Sequence, residues 1–555
     1  MNQRSPYYSL FHPKPLARRV SSFGFPRDLG DRFQILHKWL SLANDKEPFN
    51  LIAEAEFLHD IFVDILGYRS PFETTGGTWE LELHPKPALG FFAEPSANVT
   101  INVIVEIYVN TAEEGAIVKP EPEHETTEWL IVLDYRDICL YHRDVSSLFC
   151  QRFSWESLAD LDQLKAFYFL LSRRTLLRGI ANSEERSRTT QLLEESHQLE
   201  SEVLKNFYSH YYKIRSQLIK DFRYRLQLLD QSPERQVNID NAINIAIYQA
   251  QKLLNRILFV AYCEDLHLLP KNLIQDAYEF VNPYIEQPIW ENYKAIFRWI
   301  QNGNPHYHTV INAYPSSLFE SDRLLDQALF VGDELCRQIK EIARFDFRED
   351  VTRHILTCLF DESIKELSQY RKDLSNLSKR RIPKLPCKAI LQSESVIRTL
   401  LQHLSLAKTN SEHGQKFVQN TLVYCLEYQS QLLKIKIIHP KCGAGVFLTT
   451  ALEFLISEHE RIHYLLTKFT SDSEVIIHKT PTEVITHILQ HNLFGCDVTE
   501  EAVEITRLSL CLRSLEINPS LPNFEHNIQL GEFSTCDFGE EFREASDRGE
   551  VVILK

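Results

Sequence analysis

The chain has 555 residues, of which 44% are hydrophobic and 25% charged, with a formal net charge of −16 at pH 7. At roughly 150 residues per domain, this length predicts three or four domains. The acidic balance argues against a protein that coats nucleic acid nonspecifically, although a local basic groove could still contact DNA.

The chain shows no run of about 18 apolar residues, so we expect no membrane span. The first 30 residues are polar and lack the apolar core of a signal peptide,. The eleven cysteines are scattered and form no CxxC pair, which predicts reduced thiols with neither a disulfide framework nor a zinc site,. These features predict a cytoplasmic protein without a membrane partner.

The segment from about residue 51 to 154 has the pattern of a small α/β domain. Apolar residues recur at three- and four-residue steps over 51–66 and predict an amphipathic helix that ends at Gly67. Short β-rich runs follow, among them "ALGFF" and "VTINVIVEIYVN". The second run is apolar nearly throughout and suits a buried central strand. Further strands are predicted at 129–133 and 138–142.

Residues 155–388 are predicted to be mostly helical. The segment 184–229 mixes both charges without glycine or proline, which predicts a long exposed or coiled helix. The segment 241–270 is more apolar and predicts a buried helix closed by Pro270. The basic stretch 375–388 carries two prolines and is the best linker candidate in the second half,.

From about residue 389 the pattern becomes α/β again. A strand at 435–439 leads into a loop with Gly443 and Gly445, and a helix begins near Val446. The glycines would let the backbone turn tightly near a ligand, and the helix would direct its first amides at that ligand. The alternative is a tight turn without a ligand.

The next strand, 492–496, is followed by Asp497 and a helix with an apolar stripe at Ala502, Ile505, Leu508 and Leu512. A carboxylate in this position could accept hydrogen bonds from both ribose hydroxyls. An acid near a helix N-cap is the common alternative.

Three segments in this region resemble motifs of adenine-N6 DNA methyltransferases. "IIHPKCGAGVFLTTAL" resembles the S-adenosylmethionine loop D-P-A-C-G-S-G-x-F-L. "NLFGCDVTEEAVEITRLSLCLRSL" and "NIQLGEFST" resemble the next two motifs in order, with Glu532 in place of an aspartate. The resemblance implies S-adenosylmethionine as the cofactor. Leu448 also matches the loop. The implied binding residues are Pro440, Cys442, Gly443, Gly445, Phe447, Asp497 and Glu532.

The rest of the chain resembles the single-chain type IIG restriction-modification proteins, which implies DNA as a partner. It implies an α/β plus α fold with four parts: an N-terminal arm at 1–50, a degenerate PD-(D/E)xK nuclease-like α/β domain at 51–154, a helical connector at 155–388, and at 389–555 the first half of an incomplete Rossmann-like methyltransferase domain. The segments "ALGFF" and "VIVEIYV" resemble the nuclease strands that carry the metal-binding acids.

Several reactive positions depart from these motifs. A PD-(D/E)xK nuclease needs two acids for Mg²⁺ and a lysine near the attacking water. Here Lys86 or Pro87 replaces the first acid, and Tyr108 replaces the lysine. We therefore expect Glu106 to be a structural remnant, with no bound Mg²⁺ and no catalytic residue in this domain.

The methyltransferase motifs depart in the same way. His439 replaces the leading acid of the loop and Lys441 an alanine, which predicts positive charge near a cationic sulfonium and at most weak S-adenosylmethionine binding. The family's aromatic segment before the loop has no match at 380–392. The catalytic N-P-P-Y or D-P-P-Y motif does not occur among the 555 residues.

The favoured interpretation is a truncated, degenerate relative of a type IIG protein, so we expect the chain alone neither to methylate nor to cut DNA. A tritiated-methyl transfer assay on mixed DNA tests this expectation, and clear incorporation would contradict it. Two alternatives are one half of a split enzyme, completed by a companion chain with the catalytic motif and the recognition domain, and a non-enzymatic binding module of a defence system that uses the basic segment 379–388.

Overall fold

A computed structural model describes residues 8–42, 59–68, 82–83, 88–92, 102–108, 129–134, 137–176, 186–230, 239–304, 311, 313–314, 316–372, 382–404, 415–469, 480–519 and 522–555. Two β-sheets and a large set of helices make up these residues. The mixed α/β and helical fold class expected from the sequence is thereby confirmed. No described helix combines the length and apolarity needed to cross a membrane.

The first sheet is seven-stranded, with the order β1-β7-β6-β5-β4-β3-β2. Its strands are β1 (Tyr8–Ser9), β2 (Glu82–Leu83), β3 (Ala88–Phe92), β4 (Asn102–Tyr108), β5 (Trp129–Asp134), β6 (Asp137–His142) and β7 (Phe149–Ser154). The pairs β4–β5 and β1–β7 are parallel and the other neighbours antiparallel. The strands expected at β3 to β6 are present.

The helix expected at 51–66 is described only in its second half. Residues 51–58 lie outside the described residues, and His59–Ile65 forms a π-helical segment. Gly67 follows this segment with a φ of +77°, a left-handed conformation that suits glycine at a helix end,. The predicted stop at Gly67 is therefore confirmed.

Most of the described helices precede the second sheet in the chain. They are α1 (Pro13–Ser22), α2 (Leu29–Leu42), α3 (Leu161–Leu171), α4 (Arg173–Leu176), α5 (Arg188–Asp230), α6 (Ile239–Asp265), α7 (Leu273–Glu279), α8 (Ile289–Asn302), α9 (Asp333–Ile342), α10 (Arg353–Lys372), α11 (Lys388–Gln392), α12 (Glu394–Leu404) and α13 (Gln415–Lys434). Short π-helical and 3-10 segments lie at Arg323–Ala328 and Glu156–Ala159.

The long helix expected to be exposed or coiled is present as α5. One of its faces packs against α6 and is buried, and the opposite face is exposed. Residues at helical spacing form the buried face: Leu204, Phe207, Tyr211, Leu218 and Phe222. These apolar positions recur every three to four residues, so they line one side of the helix although its average composition is polar. The prediction that α6 is buried is confirmed.

The second sheet has four parallel strands in the order β10-β9-β8-β11. They are β8 (Lys436–His439), β9 (Leu493–Asp497), β10 (Ile528–Leu530) and β11 (Val551–Ile553), connected through α14 (Val446–Phe469), α15 (Pro481–His487), a π-helical segment (Ile488–Asn492), α16 (Glu500–Leu515), a 3-10 turn (Glu525–Asn527) and α17 (Gly539–Asp547). The chain runs from β8 outward to β10 and then returns to the other side of β8. Parallel sheets place ligands at the carboxyl ends of the strands where the order reverses in this way.

The second sheet shares a buried polar contact with the helical region. Glu453 of α14 lies 2.7 Å from a nitrogen of Arg353 in α10 and 2.7 Å from Nε of Arg513 in α16. The hydroxyl of Tyr262 in α6 donates to Glu516. These contacts fix α16, which follows the candidate site, against the helices of the connector.

Candidate cofactor site

The glycine loop joins the end of β8 to the start of α14. Gly443 and Gly445 have φ angles of +56° and +76°, in the left-handed region. A Cβ at Gly445 would lie 3.1 Å from both Cα and Cγ2 of Thr506 in α16. The hydroxyl of Thr506 donates to the carbonyl of Gly443 at 3.0 Å. The loop therefore needs glycine both for its backbone conformation and for its close approach to α16.

Asp497 lies at the carboxyl end of β9 and binds the glycine loop directly. Its Oδ2 accepts from the backbone N–H of Gly443 at 3.1 Å, and its Oδ1 accepts from the N–H and the hydroxyl of Thr499 at 3.0 and 2.9 Å. Its carbonyl accepts from the N–H of Gly531 at 2.8 Å. A carboxylate offers about four acceptor positions, so this partly exposed side chain retains acceptor capacity for a ligand,.

His439, which takes the place of the usual acid, lies partly buried beside the loop. Its ring stacks on Phe447 with centroids 4.9 Å apart. Burial lowers the pKa of His439 to about 4, against the smaller opposing effect of the Asp497 charge. The side chain is thus neutral at pH 7, and the expectation that it carries positive charge is wrong. The expectation of positive charge near the sulfonium then rests on Lys441 alone, which is exposed.

We expect His439 to make the protein less stable in mild acid. The pKa is about 4 in the folded chain against an ordinary 6.5, so the unfolded chain binds a proton between these values and the folded chain does not,. The free energy of unfolding is therefore unaffected by His439 above pH 6.5, and it falls by about 3 kcal/mol as the pH decreases from 6.5 toward 4. Urea unfolding of wild type and His439→Gln from pH 7.5 to 4.5 measures the effect. If the difference in free energy of unfolding between wild type and variant stays constant over this pH range, the prediction is wrong.

The other residues proposed from the sequence surround this contact. The N–H of Cys442 donates to the carbonyl of Cys496 at 2.9 Å, and the carbonyl of Pro440 accepts from the Cys496 thiol at 3.3 Å. Glu532 is exposed and follows Gly531 directly, so its turn is tied to Asp497. The structure brings the loop, Asp497 and the Glu532 turn together at one edge of the sheet.

The sequence analysis missed three apolar side chains at the same edge. Val498, Leu530 and Phe533 expose 67%, 52% and 39% of their surface. Val498 follows Asp497, and Phe533 follows Glu532. This repeated pair of an acid and an apolar residue could have indicated the apolar side chains of the site from the sequence. Exposed apolar groups beside polar acceptors suit a ligand with a flat apolar ring and polar substituents.

The nuclease-like positions are described only in part. Glu106 lies in β4, opposite Ala88 of β3 and beside Val132 of β5. Lys86 and Pro87 lie outside the described residues. The structure therefore places Glu106 on a strand inside the sheet, and its role as a remnant is still a prediction.

Comparison with known proteins identifies one curated relative. It is a protein of Methanocaldococcus jannaschii named "Putative type II restriction enzyme and methyltransferase", 24% identical over 331 residues. The match covers 50% of this chain and 26% of the relative, so the matched half of this chain corresponds to about a quarter of that protein's length. No protein-family model matches the chain.

Two solved structures are also similar. The type IIL restriction-modification enzyme MmeI in complex with DNA aligns with a TM-score of 0.39 and 15% identity, over 62% of this chain and 42% of that chain. The DrdV–DNA complex aligns with a TM-score of 0.32 and 12% identity, over 94% of this chain and 42% of that chain. Both TM-scores are below 0.5. The sequence match agrees with the motif resemblance, since the matched protein is named as a putative type II restriction enzyme and methyltransferase.

Proposed function

We propose that the second sheet is the cofactor-binding half of an adenine-N6 DNA methyltransferase domain and binds S-adenosylmethionine. One observation carries this proposal: the Asp497 carboxylate and the Gly443 amide meet across the carboxyl ends of two adjacent parallel strands. The strand order reverses beside β8, where nucleotide ligands bind in open α/β sheets,. The adenine specificity and the DNA substrate are proposed from the three motif resemblances.

The residues present fit the nucleoside part of the cofactor. Asp497 retains acceptor capacity for ribose hydroxyls, and the exposed Glu532 could accept from an adenine amino group. Val498 and Phe533 offer apolar surface for the ring. When bound, S-adenosylmethionine would supply an activated methyl group.

The methionine part of the cofactor has fewer partners. The buried Nδ1 of His439 has no hydrogen-bond partner among the described residues, and a neutral imidazole can accept from an ammonium group only in the matching tautomer,. It cannot provide the negative charge of a carboxylate. We therefore propose that the site holds the nucleoside better than the methionine end, so that its affinity for the whole cofactor is low.

We assign no methyl-transfer or cleavage step to these residues. No N-P-P-Y or D-P-P-Y segment occurs in the sequence to hold a flipped adenine,. In the first sheet, Tyr108 stands where a PD-(D/E)xK nuclease has its lysine, so we propose a nuclease-like fold without metal-dependent cleavage. The proposed activity of the described site is cofactor binding in a restriction-modification protein.

Saturation-transfer NMR with separate ligands tests the assignment of the nucleoside half. We expect adenosine and S-adenosylhomocysteine to receive saturation from the protein and each to displace the other. Methionine should give no signal, because the site lacks the leading acid. Guanosine is the matched control, because its ring carries an oxygen in place of the 6-amino group that Glu532 is proposed to bind in adenosine. Equal signals from guanosine and adenosine would contradict the proposed site.

A further inference from the structure

The cysteines nearest the candidate site differ from the others in exposure. All eleven lie in the described part of the chain, and ten are buried, whereas Cys536 is partly exposed. The side chains of three cysteine pairs interact: Cys139–Cys150, Cys358–Cys387 and Cys496–Cys536. Of these three pairs, only the third contains a partly exposed thiol.

Backbone contacts fix the turn that carries Cys536 to the strand that carries Cys496. Cys496 lies in β9 next to Gln529 of β10, and Cys536 lies in the turn after β10. The N–H of Cys536 donates to the carbonyl of Glu532 at 3.2 Å. A Cβ added at Gly531 would lie 3.4 Å from Sγ of Cys536. The N–H of Gly531 donates to Asp497, so this turn is fixed to the end of β9.

We propose that Cys496 and Cys536 form an oxidation site, in which a peroxide converts the two thiols to a disulfide that fastens the turn after β10 to β9. Partly exposed thiols beside a second thiol are the usual targets of reversible oxidation. The two buried pairs serve as internal references, because they have the same thiol–thiol contact without the exposure.

The chemistry balances with hydrogen peroxide as the oxidant. The sulfur of Cys536 attacks one peroxide oxygen, the O–O bond breaks, and sulfenic acid and one water form. The sulfur of Cys496 then attacks the Cys536 sulfur, the S–O bond breaks, and the released hydroxide leaves as water with the Cys496 proton. Two thiols lose two electrons and one peroxide becomes two waters. Burial raises the pKa of Cys496 to about 12, so little thiolate forms there, and the partly exposed Cys536 is the residue that reacts with peroxide first,.

The disulfide would alter the candidate site from both sides. The Cys496 thiol donates to the carbonyl of Pro440 in the glycine loop at 3.3 Å, and the disulfide has no proton to donate. The bond would also restrain the turn that carries Glu532 and Phe533. We expect oxidation to lower the affinity for S-adenosylmethionine at least threefold. This consequence rests on the proposed function, whereas the disulfide itself does not.

Peptide mapping of the native chain tests the proposal. The protein is treated with hydrogen peroxide, free thiols are alkylated after denaturation, and tryptic peptides are analysed without reductant. We expect the Cys496–Cys536 crosslink to form first and dithiothreitol to reverse it. Cys536→Ser should abolish the crosslink, whereas the matched variant Cys387→Ser should retain it.

Two results would overturn the proposal: oxidised Cys536 without a crosslink, or a Cys139–Cys150 crosslink that forms equally fast. Titration of reduced and oxidised protein with S-adenosylmethionine tests the consequence, and equal affinities would overturn that part. If the reduced protein binds no cofactor, the proposed function is wrong, while the peptide map still decides the disulfide.

Discussion

Replacing Glu366 with alanine should lower the free energy of unfolding by about 3–5 kcal/mol, the usual cost of leaving a buried charge without its partner. Glu366 in α10 accepts from Arg215 and from the hydroxyl of Tyr208, both in α5. The Arg215 side chain is fully buried, and that of Glu366 is 3% exposed. Without the carboxylate, the guanidinium would keep its charge in a site closed to water. Urea unfolding of the wild type and the variant measures the difference.

Two controls separate this effect from a general loss of side-chain contacts. Glu341→Ala removes a half-exposed ion pair, in which an Arg344 nitrogen lies 2.6 Å from Oε2 of Glu341. It should lower the free energy of unfolding by less than about 1 kcal/mol. The double variant Arg215→Met/Glu366→Leu removes both charges and should recover most of the stability. If Glu366→Ala and Glu341→Ala cost the same, the buried pair does not fasten α5 to α10.

Replacing Asp497 with asparagine should weaken the binding of adenosine and S-adenosylmethionine at least tenfold, which corresponds to about 1.4 kcal/mol. The amide has a single acceptor oxygen. If this oxygen keeps the Thr499 contacts, the NH₂ group faces the Gly443 N–H, and a donor then meets a donor,. The variant therefore loses the acceptor for ribose and also its hold on the glycine loop.

Glu500→Gln is the matched control for Asp497→Asn. Glu500 is an exposed acid three residues further on, in the first turn of α16, and within the described part of the chain it makes no hydrogen bond to the glycine loop. We expect it to bind adenosine like the wild type, as measured by saturation-transfer NMR. An equal loss in both variants would show that general negative charge, rather than the position of Asp497, supports binding.

The sequence was sufficient where one periodicity dominated. β5 is an apolar run whose described side chains are buried, and the stripe Ala502, Ile505, Leu508 and Leu512 in α16 is buried as expected. β7 was missed because Gln151 and Arg152 interrupt its apolar pattern, and β1 because two residues carry no periodicity. Both strands depend on pairing partners far away in sequence, which local patterns do not show.

The candidate site could be predicted as a set of motifs but not as an environment. The glycines and Asp497 were identified from their order along the chain, and the structure brings them within hydrogen-bond distance. The neutral state of His439 could not be predicted, because it depends on burial against Phe447. The same holds for the contact between Cys496 and Cys536, which requires the turn after β10 to fold back onto β9.

Calorimetric titration of the wild-type chain with S-adenosylmethionine at pH 7.5 tests the central claim most directly. The claim is that the sheet formed by β8 to β11 binds this cofactor through the glycine loop and Asp497. We predict saturable heat with a Kd on the order of 0.1 to 1 mM, or roughly −5.5 to −4 kcal/mol. We also predict tighter binding by His439→Asp, which restores the acid. No heat from either protein at millimolar ligand would contradict the account.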